Sequence, residues 1–225
     1  MNLSLLHLCD SLFPIGAFGY SDGLEAATTV RLKADATKNT ASATHFLGDW
    51  IDAVLDESIG RLEGPAIWHA WIAVVERAWS ALAALDEELT AIRPASATRS
   101  ASHAMGHRLL IAWSVLHADE RLTRVPSPCS LPVAFAAACA CSGVDRRESV
   151  EAYAYTRLAA TVSAAMRVLP LGQTEAHATL ARALERVPGI ADAIATRDAR
   201  IESFSPALDI AAMTQQYLPS RLFRS

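Results

Sequence analysis

The sequence predicts an all-α protein, built as a single-domain bundle of about eight to ten helices with no significant β-sheet. Alanine, the residue with the highest helix propensity, makes up about a fifth of the 225 residues. Hydrophobic residues account for 52% and charged residues for 20%, a composition that fills a core and excludes a disordered chain. Apolar residues recur at the helical period along most of the chain, and no segment alternates as a strand would.

The apolar spacing places each helix in turn. One helix is expected over 44–60. A long one follows to residue 92, with Pro65 near its start, where a missing N–H is not needed. The Arg93-Pro94 pair ends that helix, because a proline disfavours helical backbone at the residue before it. Further helices are expected over 96–117, 133–142, 148–169, 173–187 and 190–202, separated by prolines and glycines.

Two segments lack this periodicity. Residues 31–43 are polar without an apolar rhythm, so lower order is expected there. Residues 203–225 contain two prolines, a basic end and room for a short helix over 207–216. Large apolar residues are unusual at a terminus and indicate docking, either onto the body of the protein or onto a partner. We therefore divide the chain into a helical domain, residues 1–202, and a C-terminal docking tail.

Charge and composition exclude several classes of protein. The net charge of −4 provides no basic field for nucleic acid. No Lys or Arg precedes the first apolar residues, which disfavours a signal peptide. The longest apolar run, 131–141, is shorter than the roughly 20 residues of a membrane span. Four cysteines make no disulfide framework and indicate reduced thiols. We expect a soluble cytoplasmic protein without a nucleic-acid or membrane partner.

Residues 19–23 match the G-x-S-x-G pattern of a hydrolase nucleophile elbow. That reaction needs Ser21 on a sharp turn from a strand to a helix, and no predicted strand precedes it. We therefore interpret Ser21 as a helix cap, with Glu25 in the first turn of the same helix. No phosphate-binding loop or dinucleotide motif occurs, so no cofactor and no catalytic residue are expected.

Two pairs of side chains are candidate metal ligands. His103 and His107 stand four residues apart, so one face of a helix could present both to a metal. Cys139 and Cys141 lie about 200° apart on a helix and share a face only on an extended segment. Neither pair has a third ligand in the sequence. Solvated histidines and buried thiols are the favoured interpretation.

Four blocks of sequence resemble the UreF family of urease accessory proteins. Residues 10–25 match its signature D-S-x-F-P-x-G-x-F-x-x-S-x-G-L-E at every fixed position. Residues 105–110 resemble its R-M-G-x-x-L-L helix without the usual Arg. Residues 163–174 match S-A-A-x-R-x-x-P-L-G-Q-T. Residues 208–225 contain the closing L-D-I-x-x-M and S-R-L-F-R-S motifs.

Three positions depart from the family pattern. The family usually reads R-H-E after the Met of the closing block, where this chain has Thr214-Gln215-Gln216. A Tyr before the final S-R-L-F-R-S is replaced by Pro219. The family's H-x-P before the small-residue helix reads Ser130-Leu131-Pro132.

The resemblance implies a non-enzymatic accessory protein of urease maturation. Such proteins form homodimers and bind the accessory protein UreD, which is called UreH in some organisms. That complex recruits the GTPase UreG, which carries nickel, and the assembly delivers nickel to apo-urease. The resemblance further implies that the GTPase is modulated in the complex and that the C-terminal tail becomes ordered against UreD. A metallochaperone that holds nickel on His103, His107 or the cysteine pair is the alternative.

The same resemblance assigns the site residues by position in the motifs. The inferred partner-binding residues are Tyr20, Glu25, Arg221, Leu222, Phe223 and Arg224. Arg221 is the first candidate for a residue on which the complex with UreG depends, because a guanidinium suits carboxylates and phosphates. Turn geometry is the interpretation for Pro14, Gly16, Gly23, Pro170 and Gly172. No residue is expected to hold a metal.

Overall fold

The computed structural model describes residues 2–31, 40–197 and 200–224, and no residue in these ranges lies in a strand. The predicted all-α class is confirmed. The helices are α1 Leu3–Leu8, α2 Leu24–Arg31, α3 Thr40–Ala53, α4 Gly64–Val75, α5 Trp79–Ile92, α6 Ser96–Leu116, α7 Leu131–Cys141, α8 Arg146–Val168, α9 Gln173–Leu184, α10 Val187–Arg197 and α11 Pro206–Thr214. No described helix is long and apolar enough to cross a lipid bilayer.

Helix α7 lies at the centre of the bundle. Its first ten residues are all buried, and it packs between α4, α6 and α8. Five of its eleven residues are alanines, so the neighbouring backbones approach closely. On α6, a Cβ at Gly106 would overlap the carbonyl oxygen of Cys129, just before α7. A second part of the core lies between α3, α8 and α9, so α8 contributes to both parts.

The predicted break between residue 60 and Pro65 is wrong. Helix α3 continues into a π-helical segment, Val54–Glu63, which continues directly into α4. Pro65 has no N–H to offer the Arg61 carbonyl four residues earlier. The Glu202 N–H, from a distant part of the chain, donates to that carbonyl at 2.9 Å. Because this donor comes from elsewhere, the helix passes through the proline.

The predicted long helix to residue 92 is interrupted at Arg77. This residue has φ 57, in the left-handed region. The Ala78 N–H donates to Ala73 O at 2.8 Å and the Arg77 N–H to Val74 O at 3.2 Å, which is the hydrogen-bond pattern of a Schellman motif. Glycine usually occupies the left-handed position of that motif. Because this chain has an arginine at that position, the sequence does not indicate that the helix ends there.

Three further boundaries differ from the prediction. The helix expected over 173–187 ends at Leu184, and α10 begins at Val187, so Pro188 lies in its first turn, where its missing N–H is not needed. The helix expected to reach residue 202 is helical only to Arg197, and residues 200–202 lie in neither a helix nor a strand. Of the segment 31–43, residues 32–39 lie outside the described residues, and 40–43 form the start of α3.

Candidate functional site

The N-terminal signature and the C-terminal tail lie against each other. The contact is made by α11, which packs on α2. Gly23, just before α2, has φ +89, and a Cβ there would lie 2.5 Å from the Ala212 backbone nitrogen. Only glycine combines this backbone conformation with so close an approach. The signature is therefore shaped to receive the tail.

The Glu25 carboxylate holds the end of the tail by its backbone. Its Oε1 accepts the Leu222 N–H at 2.7 Å, and its Oε2 accepts the Phe223 N–H at 3.3 Å. The Gln215 amide donates to Oε2 at 2.9 Å. Glu25 is only 6% exposed. These three donors form hydrogen bonds with both carboxylate oxygens. They replace the hydrogen bonds to water that burial removes.

Gln215 links the tail to the start of α2 and has no exposed surface. Its Oε1 accepts the Ser21 hydroxyl at 3.2 Å and the Ala26 N–H at 3.4 Å. Its Nε2 donates to Glu25. One amide therefore supplies both the donor and the acceptor that this buried position needs. This is the position at which the family usually has His.

Phe223 anchors the last residues of the tail. Its ring is buried, and the Arg167 guanidinium carbon lies 4.3 Å from the ring centroid, as in a cation–π contact. Arg167 also donates from Nη1 to the Phe18 carbonyl at 3.0 Å, and the Arg224 N–H donates to the Gly19 carbonyl at 2.8 Å. The signature, α8 and the tail thus meet at one point.

Around these buried anchors the tail leaves a mixed basic and apolar surface. The side chains of Arg221, Leu222 and Arg224 are exposed. An apolar groove of about 650 Å³ adjoins the tail. Its lining includes Leu6, Phe13, Phe18, Tyr20, Tyr155 and Phe223. Tyr20 is half-buried and therefore still partly open to a partner. The expected partner-binding residues thus fall into two groups, with Glu25 and Phe223 turned inward.

The residues assigned to turns lie between helices. Pro14 is exposed in the loop after α1, and Gly16 has φ +76. A Cβ at Gly16 would lie 2.9 Å from the Arg108 Nη1, which donates to the Ile15 carbonyl at 2.9 Å. Pro170 and Gly172 lie in the short connection between α8 and α9.

Ser21 belongs to the tail contact. It is buried, its carbonyl accepts the Leu24 N–H at 3.0 Å, and its hydroxyl donates to Gln215. A nucleophile elbow requires a serine exposed at the top of a sheet. Within the described part of the chain there is no sheet, so Ser21 has no such setting.

The candidate metal ligands do not converge. The imidazoles of His103 and His107 contact the Thr90 and Ser127 hydroxyls at 2.9 and 3.0 Å. Burial raises the pKa of the Cys139 thiol to about 12 and that of Cys141 to about 11, which disfavours the thiolate that binds metals. Among the residues described, no group of three or more His, Cys, Asp or Glu side chains could hold a metal ion.

Sequence reasoning missed two residues of this site. In the sequence, Gln215 stands out only as a departure from the family pattern, and Arg167 only as a position in a matched motif. Both lie far along the chain from the residues that they contact: Gln215 is 190 positions from Glu25, and Arg167 is 149 from Phe18. Helical periodicity carries no signal for such contacts.

Comparison with known proteins agrees with the motifs. The UreF family model matches residues 42–184. Urease accessory protein UreF of Teredinibacter turnerae is 33% identical over 230 residues, covering 99% of this chain and 98% of its own. The proteins of that name from Ralstonia pickettii and Cupriavidus metallidurans are 33% and 34% identical, covering 99% of this chain and 96% and 97% of their own. The chain therefore belongs to the UreF family, and the prediction of a non-enzymatic accessory protein is confirmed.

Proposed function

We propose that this protein is a scaffold of urease maturation. It binds UreD, or UreH where that name is used, recruits and modulates the GTPase UreG, and so supports nickel insertion into apo-urease. The observation that carries the proposal is the tail seated on the N-terminal signature, with Arg221, Leu222 and Arg224 left exposed. Residues 203–225 act as the docking tail, and residues 1–202 act as its support.

The chemistry of this surface suits a protein partner. Protein interfaces are enriched in aromatic residues and arginine, and their centres are apolar. Here two arginines flank an exposed leucine beside an apolar groove, with Phe18 and Tyr217 also exposed. The fork of a guanidinium contacts a carboxylate or phosphate through two parallel hydrogen bonds. The Arg221 guanidinium is therefore suited to an acidic group of a partner or to a nucleotide phosphate.

Modulation of the GTPase follows from the same surface. A scaffold without a phosphate loop changes hydrolysis by ordering the switch segments of the GTPase or by placing a charge beside them. The exposed arginines provide that charge. In this proposal nickel is cargo that the assembly delivers to apo-urease.

A cytoplasmic homodimer completes the proposal. Support for the homodimer comes from a second exposed apolar surface, on α6. Ile111 and Val115 lie one turn apart on α6 and are 54% and 80% exposed. Exposed apolar patches of this kind are typical of contact surfaces. Light scattering of the purified chain, compared with a Val115→Asp variant, measures the dimer and the role of this face.

The proposal is tested by co-purification with UreD and then UreG, with urease activation as the second readout. We expect Arg221→Ala to leave the binary complex with UreD intact and to weaken the ternary complex by about tenfold or more. Arg124→Ala, which removes an exposed arginine outside the tail, is the matched control. Equal binding of UreD by the full chain and by a chain ending at residue 202 would contradict tail docking.

A further inference from the structure

Four charged side chains form a connected network beneath the tail. Arg157 on α8 pairs through Nη1 with Asp22 and donates from Nε to Glu63 Oε2 at 3.2 Å. Glu63 Oε1 in turn accepts from Arg93 Nη2 at 2.5 Å. The Glu63 and Arg93 side chains are 2% and 10% exposed, and those of Arg157 and Asp22 are 14% and 27% exposed.

The network is charged and balanced. Burial alone would raise the pKa of the Asp22 carboxyl, but the Arg157 guanidinium outweighs this effect and holds the pKa below its usual value. Burial acts in the same way on Glu63, and Arg157 and Arg93 together hold its pKa below the usual value. Two carboxylates therefore face two guanidiniums. Removal of one member leaves another charge buried without its partner, which is strongly unfavourable.

Asp22 also occupies an unusual backbone conformation. Its φ is 50, and the next residue, Gly23, has φ 89, so two consecutive residues lie in the left-handed region. This region is strained for most residues with a side chain, and Asp and Asn adopt it more readily than the others. The ion pair with Arg157 ties the Asp22 side chain to α8. This turn sets the direction in which α2 leaves the loop, and hence where Glu25 meets the tail.

The network faces the tail directly as well. A small cleft of about 60 Å³ separates the two. Its walls include Asp22, Arg93 and Arg157 on one side and Asp209 and Ala212 of α11 on the other. Burial raises the pKa of the Asp209 carboxyl, and a hydrogen bond from Ser205 and the positive charge of Arg93 oppose this effect in part.

We infer that Arg157 and Asp22 are positioning residues for the C-terminal tail. Their ion pair holds the Asp22-Gly23 turn in its left-handed form, and that turn seats residues 206–224 on α2. The seating is a property of the free chain. Its consequence for UreD and UreG rests on the proposed function.

Hydrogen exchange of backbone amides in the free, full-length protein tests the inference. The tail amides of Leu222, Phe223 and Arg224 are compared with the amides of α7, which report the stability of the core. The variants are Asp22→Asn, Arg157→Gln and the double variant D22N/R157Q. Arg147→Gln is the control, because Arg147 lies on the same helix in exposed ion pairs with Glu151 and Asp192.

The double variant distinguishes loss of tail positioning from the destabilisation caused by one unpaired buried charge. It leaves Glu63 paired with Arg93, so the α7 amides should return towards their rates in the unchanged protein. The tail amides should nevertheless exchange at least about tenfold faster, because the turn has lost its tie to α8. The inference is wrong if the tail amides recover together with α7, or if tail and α7 amides accelerate equally in every variant.

If Arg157→Gln does not fold, the exchange rates of Asp22→Asn alone are compared with those of the unchanged protein. Asparagine keeps the volume of Asp and tolerates the left-handed region, so this variant removes the charge and one acceptor oxygen without straining the turn. The tail amides are expected to accelerate more than the α7 amides, and unchanged tail amides would overturn the inference. Because exchange is measured without a partner, failure of the proposed function would leave this result as it stands.

Discussion

The Glu25 carboxylate accepts the Leu222 N–H at 2.7 Å, across 197 residues of sequence. This bond joins the last residue of the N-terminal signature to the closing motif of the chain. The carboxylate binds backbone groups, so it fixes the path of the tail whatever side chains the tail carries. The buried Glu25 carboxylate therefore determines where the exposed side chains of Arg221 and Leu222 lie.

Glu25→Gln is expected to loosen the tail and to lower the free energy of unfolding by about 2 kcal/mol, since hydrogen bonds to a charged group are the stronger kind. The uncharged amide keeps the volume but replaces one carboxylate oxygen by a donor. Urea denaturation measures the change. Glu88→Gln, at an exposed position on α5, should lie within about 0.5 kcal/mol of the unchanged protein. Equal stability of the two variants would show that the buried carboxylate contributes nothing.

Gly23→Ala is expected to displace α11. The added Cβ would lie 2.5 Å from the Ala212 nitrogen, and the left-handed φ is strained for any residue with a side chain. Limited proteolysis should cut the tail of this variant at lower protease concentrations. Gly48→Ala is the control, because nothing lies within 4 Å of its Cβ and the site is in a helix. That control should gain about 0.5–1 kcal/mol.

The helices with clear apolar faces could be predicted from the sequence. Helices α6 and α8 begin and end within two residues of the expected positions. The break at Arg77 could not be predicted, because it depends on a left-handed residue that was not glycine. The continuous helix through Pro65 depends on the Glu202 N–H, which lies far away in sequence. Local spacing carries no information on either feature.

The candidate site, too, could be predicted only in part from the sequence. The motifs indicated which ends of the chain matter, and the family resemblance linked both to partner binding. Glu25 was expected among the partner-binding residues, yet its carboxylate is occupied by the tail backbone. The direction of a side chain depends on which helices pack together. No pattern within residues 10–25 specifies that α11 packs on α2.

Gln215→Leu is expected to destabilise the protein by about 1–3 kcal/mol, because it removes the donor to Glu25 and the acceptor for Ser21 and the Ala26 N–H. Gln215→His should cost less, since a neutral imidazole still has one donor and one acceptor nitrogen. Thermal unfolding of the two variants gives the order. If Leu is tolerated as well as His, the hydrogen bonds of Gln215 are not what holds the tail.

Acid should remove the stability that the charged network contributes. Arg157 and Arg93 hold the pKa values of Asp22 and Glu63 below their usual range. A carboxyl whose pKa is lower in the folded state stabilises the protein above its unfolded pKa, about 4, and this contribution is lost as the pH falls through the folded pKa. The difference in unfolding free energy between the unchanged protein and Asp22→Asn should therefore be constant from pH 7 to pH 5.

Below about pH 4 the same difference should shrink, because Asp22 becomes protonated first in the unfolded state. It should approach zero below the folded pKa, where Asp22 is protonated in both states and resembles Asn. Urea denaturation at a series of pH values measures it. Asp192→Asn is the control, since Asp192 is exposed and its ion pair with Arg147 lies outside the network. A difference for Asp22→Asn that stays the same down to pH 3 would mean that the carboxylate charge contributes nothing and that Asn changes stability by another route.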